Sequence, residues 1–497
     1  MKNLDDFQDE SAFASLPNEC WLQIVDLLDL KDLLSLSLVS KGLHTSVEHL
    51  IYKTVKWDCS PVPTTRVFQL TRTILSRPEL GLCLQNFSMV NSFDVFWIKE
   101  WRDPWLDREW SEISADYGDV VEMAQAIVHR AEFPDADRWN RAIQDGDVFA
   151  VVSILLSQLH NLRTLQLDYT FIWKGGFPGL MLKHALFSAP KGVLSNFDSL
   201  VSVNYGSEVT MSGHINHDGP IQYDGFPDVD LDQFMAWFYL PSVQVLGVWL
   251  RSFKDVITED RQPDLHNLHT LILARSTIEE VEVPSLLSLT PNLKTLHLGM
   301  AYRFKQRRQL ENGHAILQGL SYLHNTLERL SMGIEYYPSF EACNVEDEED
   351  NPDRKPWIGF VKEFPKLVST EIPVTLLLGS DPDNAENITK VLPSTLEELC
   401  IQWDNSRVSN NDWVDAEEVL ECVKYVVQSQ QSQFARLKRM TVRVWLDEEY
   451  GEGHQEEAEE ICQEAGIDFE MRLDCLSPGL WTRDVFGPRE NKSIDLV

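Results

Sequence analysis

Few side chains in this sequence have the type and spacing that chemistry needs, and each has a plain structural alternative. His214, His217 and Asp218 (HINHD) carry donors that a divalent metal accepts. Their spacing suits a loop and not a helix face, and no second ligand cluster accompanies them. The eight cysteines (Cys20, Cys59, Cys83, Cys343, Cys400, Cys422, Cys462, Cys475) form no C-x-x-C pair. Neither a disulfide framework nor a zinc site is expected from such scatter, and free thiols in a reducing compartment are the reading. No phosphate-binding G-x-x-x-x-G-K-S/T, no G-x-S-x-G elbow and no H-E-x-x-H helix occurs. The abundant carboxylates offer no pair that stands apart. No catalytic residue, cofactor or metal is therefore expected.

The remaining candidates point to binding. Arg439 and Arg443 have the planar fork that grips phosphate or carboxylate, and the acidic stretch Asp447–Glu460 offers them an internal partner instead. Trp249 suits a binding anchor, or equally packing beneath a neighbouring loop. His297 and Arg329 share the strand position discussed below. The chain carries 78 acidic and 43 basic residues, a net charge of −35. That field repels a phosphate backbone, and the best basic cluster, Arg303–Arg308, is short; nucleic-acid binding is disfavoured. The longest apolar stretch of note, Phe149–Leu156, is too short to cross a bilayer, and the acidic N-terminus has no apolar leader core. An intracellular protein without a membrane partner is expected.

The elements that must hold these residues are legible as a recurring phrase, apolar-x-x-apolar-x-apolar. It occurs at Leu84–Met89, Leu162–Leu167, Leu200–Tyr205, Val243–Val248, Leu268–Leu273, Leu293–Leu298, Leu327–Met332, Leu367–Ile372, Leu396–Ile401 and Leu437–Val442. From Leu162 onward the starts lie 25 to 43 residues apart. Such a phrase makes a short strand whose edge and apolar face are covered by the next copy. Side chains alternate along a strand, so Thr164, Gln166, Trp249, His297, Arg329, Arg439 and Arg443 are placed on the face opposite the apolar core, the candidate substrate-facing side. Stretches such as Glu311–His324 and Asp415–Gln430 have helical character and would form an outer layer, giving a curved right-handed solenoid. His160, His266 and His324 each precede an asparagine and read as structural lead-in residues. Insertions are expected at 91–150 (Trp-rich and helical), 206–230 and 341–356.

The N-terminus has a different grammar. Residues 1–14 are polar and expected to be flexible. Within 15–57, Leu16-Pro17 opens a helical segment, Asp29 can cap a second helix, and Gly42 marks the break to a third. Its leucines exceed what so short a segment can bury by itself.

Leu16–Lys41 (LPNECWLQIVDLLDLKDLLSLSLVSK) resembles the F-box, with Leu16-Pro17, Glu19, Ile24, Leu28, Asp32-Leu33, Leu36 and Val39-Ser40-Lys41 at the family's positions. Cys20 stands where an aliphatic residue is usual and Val25 where a larger residue often sits, both mild departures. The following Leu50–Val55 looks like the connection into a strand found in fungal members. The phrases from residue 80 to 497, two of them spaced at 25 residues, are similar to leucine-rich repeats. The resemblance implies an α/β fold: a three-helix F-box followed by an irregular leucine-rich-repeat solenoid with parallel strands on its concave face. It implies docking through Leu16, Pro17, Ile24, Leu28, Leu33, Leu36, Val39 and Lys41 on a Skp-type adaptor. Through the adaptor the chain would join a cullin-RING ubiquitin ligase and present a protein substrate. An adaptor-linked scaffold outside ubiquitination is the alternative.

Overall fold

Every one of the ten apolar phrases carries a β-strand, and each strand begins at the third residue of its phrase. The computed structural model describes residues 17–59, 62–90, 117–207, 230–254, 256, 261–303, 310, 313–337, 361–379, 381–403, 416–444, 452–473 and 485. Its strands are β1 (Thr54–Asp58), β2 (Asn86–Val90), β3 (Thr164–Leu167), β4 (Ser202–Tyr205), β5 (Val245–Val248) and β6 (Thr270–Ser276). They continue as β7 (Thr295–Arg303), β8 (Arg329–Tyr337), β9 (Ser369–Pro373), β10 (Glu398–Trp403), β11 (Arg439–Val444) and β12 (Asp468–Leu473). All twelve belong to one open parallel sheet in chain order, so each strand is bonded only to its neighbours in sequence. Parallel neighbours need a crossover, and helices lie in most of the crossovers among the described residues, though none is seen between β5 and β6.

The register has a simple local cause. The carbonyl just before one strand accepts two successive N–H groups that open the next. Gln244 O takes His269 and Thr270, His269 O takes Lys294 and Thr295, and Lys294 O takes Glu328 and Arg329. Glu328 O, Val368 O and Glu397 O continue the series, all at 2.7–3.2 Å. The lead-in residues add side-chain bonds of the same sense: Asn161 Nδ2 donates to Leu82 O (2.8 Å) and Asn292 Nδ2 to His266 O (2.9 Å). The His266 contribution here is its main-chain carbonyl, while its ring lies 2.7 Å from Asp264 Oδ1.

Two strands escaped the phrase. Before β1, Leu50 and Ile51 still belong to a helix, and the strand starts only at Thr54. β12 (DFEMRL) lacks the leading leucine and shows only the period-two alternation of Phe469, Met471 and Leu473.

Packing divides the chain into two compact units. The first contains the N-terminal helices, β1, β2 and most of β3, with residues 184–200. Among the described residues three helices come between β2 and β3, Gly118–Arg130, Ala136–Gln144 and Val148–Leu156. The last holds the apolar stretch noted in the sequence, and all nine residues are buried. A helix apolar on every side belongs in a core. Asp147 caps it by accepting from the Phe149 and Ala150 amides. Trp139, the only tryptophan of the 91–150 stretch among the described residues, is buried edge-on against Phe133. The second unit holds β4–β12 and their helices. Gly313–Ser321 and Ala416–Gln428 lie within the two stretches expected to be helical. The expected insertion 341–356 and nearly all of 206–230 lie outside the described residues.

In the β9 phrase, Thr370 stands in register with Leu330 and Leu399 on the apolar side. It is fully buried, and its Oγ1 has no hydrogen-bond partner. A buried hydroxyl without a partner loses its hydration for nothing. Thr370→Val, which keeps the shape, is expected to raise stability by about 1 kcal/mol, read from thermal or urea melts.

Candidate docking surface and polar sheet face

The N-terminal helices are α1 (Asn18–Val25), α2 (Leu30–Ser37) and α3 (Lys41–Ile51). Asp29 caps α2 as expected, its side chain accepting from Asp32 N at 2.8 Å. Ser40, and not Gly42, sets the start of α3: its hydroxyl accepts from Leu43 N at 3.2 Å, and Gly42 already lies in the first turn. A hydroxyl that satisfies a first-turn amide defines the boundary more sharply than glycine's freedom does.

Val25, Leu33 and Val47, one from each helix, form the buried centre, with Trp21, Leu28, Leu36, Leu50 and Ile51 packed around it. That leaves a row outside: Leu27 and Leu38 are 87% exposed, Val39 70%, and Leu30, Leu34 and Ile24 are also open. The helical period explains the division. Leu30, Leu34 and Leu38 recur every four residues along one stripe of α2, while Leu33 and Leu36 face the other helices.

Of the docking residues expected from the sequence, Pro17, Ile24, Val39 and Lys41 are exposed, while Leu28 and Leu36 are half-buried. Leu16 lies outside the described residues. Leu33 is corrected: at 6% exposure it belongs to the segment's own core and is not offered to a partner. Leu27, Leu30, Leu34 and Leu38 are exposed as well and were not singled out from the sequence. The i, i+4 spacing on α2 was the signal for three of them.

In the second unit, the first, third and fifth residues of successive strands share a face, and their side chains are bonded across it. His297 Nδ1 lies 2.8 Å from Ser331 Oγ, and Ser331 Oγ donates to Glu371 Oε2 at 3.2 Å. Glu371 Oε1 accepts from Gln402 Nε2 (2.9 Å) and from Arg443 Nη1 (2.6 Å). The Glu371–Arg443 pair thus spans β9 to β11 and is almost fully buried, with Gln402 of β10 bonded to the same carboxylate. Ser331 Oγ thus bridges the His297 ring and the Glu371 carboxylate, and all three side chains are buried.

This arrangement corrects the expected substrate-facing set. His297 and Arg443 are buried in the network, and Trp249 is buried edge-on against Phe234, 5.8 Å between ring centroids. The sheet's polar positions are closed here because carboxylate, hydroxyl and amide groups satisfy one another. Arg329 and Arg439 stay partly open and share Glu398, each at 3.3 Å, while Arg439 also meets Asp468 at 3.5 Å. The arginines' carboxylate partners shown are therefore Glu371, Glu398 and Asp468, on strands one or two places away. Glu371 was not anticipated; its place in the third position of β9 was the available signal.

Among the described residues no group of His, Cys, Asp or Glu is assembled to hold a metal, and no helix is long and apolar enough to cross a membrane. His214, His217 and Asp218 lie outside them. The described cysteines are free; Cys20 is exposed, while Cys59, Cys400, Cys422 and Cys462 are buried. Burial pushes the Cys462 thiol up to about 12.

Three small helices with a closed centre and an open leucine row precede a parallel sheet. The helical segment is an F-box domain, whose family model matches residues 13–54. F-box domains generally bind Skp-type adaptors. No curated protein matches the chain.

Two outcomes test this geometry by chemical denaturation. Leu33→Ala is expected to cost about 2–5 kcal/mol through the cavity left in the helical core. Arg443→Met is expected to cost about 3–5 kcal/mol by leaving Glu371 as an unpaired buried carboxylate. The double variant Glu371→Gln/Arg443→Met should recover most of that loss, and strictly additive losses would contradict the pairing.

Proposed function

We propose that this protein is the substrate-recognition subunit of an SCF-type cullin-RING ubiquitin ligase. In this reading α1–α3 dock on a Skp-type adaptor, and the sheet with its helices forms a leucine-rich-repeat-type receptor for a protein substrate. The observation that carries it is the exposed row Leu27, Leu30, Leu34, Leu38 and Val39 on a segment whose own core is already complete. A contiguous apolar row rimmed by Lys31, Asp32 and Lys41 is costly in water and fits a partner's groove. The strand order β1 to β12, each strand bonded to its sequence neighbours, supports the repeat reading.

The role is binding and not catalysis. The His297–Ser331–Glu371 set is buried and bonded within the sheet's own polar face. With Trp249, His297 and Arg443 closed, Arg439 stays exposed and Thr164, Gln166 and Arg329 stay partly accessible among the residues of the expected substrate face.

Leu38→Asp and Val39→Asp alter exposed side chains, so the helices should keep their melting behaviour. Each is expected to weaken capture of the Skp-type adaptor about tenfold or more by placing a carboxylate in an apolar contact. Co-precipitation of parent and variants with adaptor and cullin reads this directly. Unchanged capture by both variants would remove the docking assignment, and adaptor capture without cullin would turn the reading toward a scaffold outside ubiquitination.

A further inference from the structure

The F-box helices pass into the sheet without a spacer. α3 ends at Ile51, β1 begins at Thr54, and only Tyr52 and Lys53 lie between. Lys53 O accepts the N–H groups of Gln85 (2.9 Å) and Asn86 (3.1 Å). The next carbonyl in the same place, Gln85 O, accepts Arg163 (2.7 Å) and Thr164 (3.0 Å). Lys53 therefore stands before β1 as Gln85 stands before β2. The pattern that sets the register of the later strands already includes the last residues of the F-box segment. Five residues of β1 then pair with β2, from Thr54 with Asn86 to Asp58 with Val90, and Asn86 Nδ2 donates to Thr54 Oγ1 at 3.0 Å.

A second tie reaches α3 from the side. After the helix Thr64–Ser76, Arg77 turns back onto Glu48 in α3, with Nη1 to Oε1 at 2.7 Å and Nη2 to Oε2 at 2.9 Å. Two parallel bonds fix direction as well as distance. Arg77 Nε is held by Glu79 at 3.0 Å, which orients the fork, and His44 approaches Glu48 from one turn earlier at 3.5 Å. The Arg77 bond holds the Glu48 carboxyl below its ordinary range, against the opposing effect of burial. α2 is fastened to α3 in turn through Leu33 and Val47.

We infer that α3 and β1 are the first repeat of the sheet and not a module tethered to it, with Glu48–Arg77 as the positioning pair that sets the angle of α1 and α2. Strand pairing stops α3 from sliding, and the paired carboxylate and guanidinium stop it from turning about Tyr52-Lys53. A docked adaptor is then held at one orientation to β1–β3. This consequence rests on the docking reading; the positioning itself does not.

Dipolar spectroscopy on the full chain tests it, with nitroxides on bio-orthogonal side chains introduced at exposed Ser35 in α2 and exposed Asp137 in the helix Ala136–Gln144. The parent should give one narrow distance distribution. Arg77→Ala should broaden it to about twice that width, and the exchanged pair Glu48→Arg/Arg77→Glu should narrow it again. Glu48→Gln, nearly the same shape, serves as the disruption if Arg77→Ala unfolds the chain. A broad parent distribution, or one that neither disruption changes, overturns the inference. Adaptor capture is measured beside it and should be equal in parent and Arg77→Ala, since Arg77 is off the leucine row. A parent that captures no adaptor sinks the docking reading alone, because the distance widths decide the positioning claim.

Discussion

A backbone carbonyl shared by two successive N–H groups is the interaction on which the fold depends. It recurs before strand after strand, from Lys53 through Gln244, Lys294 and Val368 to Glu397. Each instance fixes where the next strand starts, and the start fixes which residues alternate toward the helices. A slip of one residue would turn Leu330, Leu399 and Met440 outward and bring Ser331, Cys400 and Thr441 in their place. The apolar pattern and the shared carbonyl therefore enforce each other.

The same alternation decides what the polar face can do. Where a carboxylate, a guanidinium and small hydroxyls fall in line, as with Glu371, Arg443, Ser331 and His297, the face closes on itself and becomes structural. A buried ion pair of this kind specifies alignment among strands more than it adds stability. At the openings of the later strands, Arg329, Glu398, Arg439 and Asp468 alternate in sign and remain wet, where their bonds contribute little each.

Much of this was legible because it is local. The ten phrases located ten strands, since period-two alternation with a leading leucine has few other uses. β12 was missed because Ile467 to Leu473 keeps the alternation and drops the leucine. The division of leucines in α2 needed the other two helices: Leu33 and Leu34 are equivalent in composition, and packing with Val25 and Val47 decides which of them is buried. The arginine partners were out of reach for another reason. Glu371 and Arg443 are 72 residues apart, and only strand order brings them within 2.6 Å. The F-box motif was readable from its spacing. That the carbonyl pattern of the strands begins at the end of its last helix was not, because Lys53 O carries no side-chain signature.

The account turns on whether the open leucine row is where an adaptor lands. Amide hydrogen exchange of the full chain, with and without a Skp-type adaptor, addresses that directly. Slowed exchange confined to residues 18–41, with the amides of β5–β11 unchanged, is the result expected. Unaltered exchange over α1 and α2 in a complex that does form would contradict it, since the adaptor would then be held elsewhere.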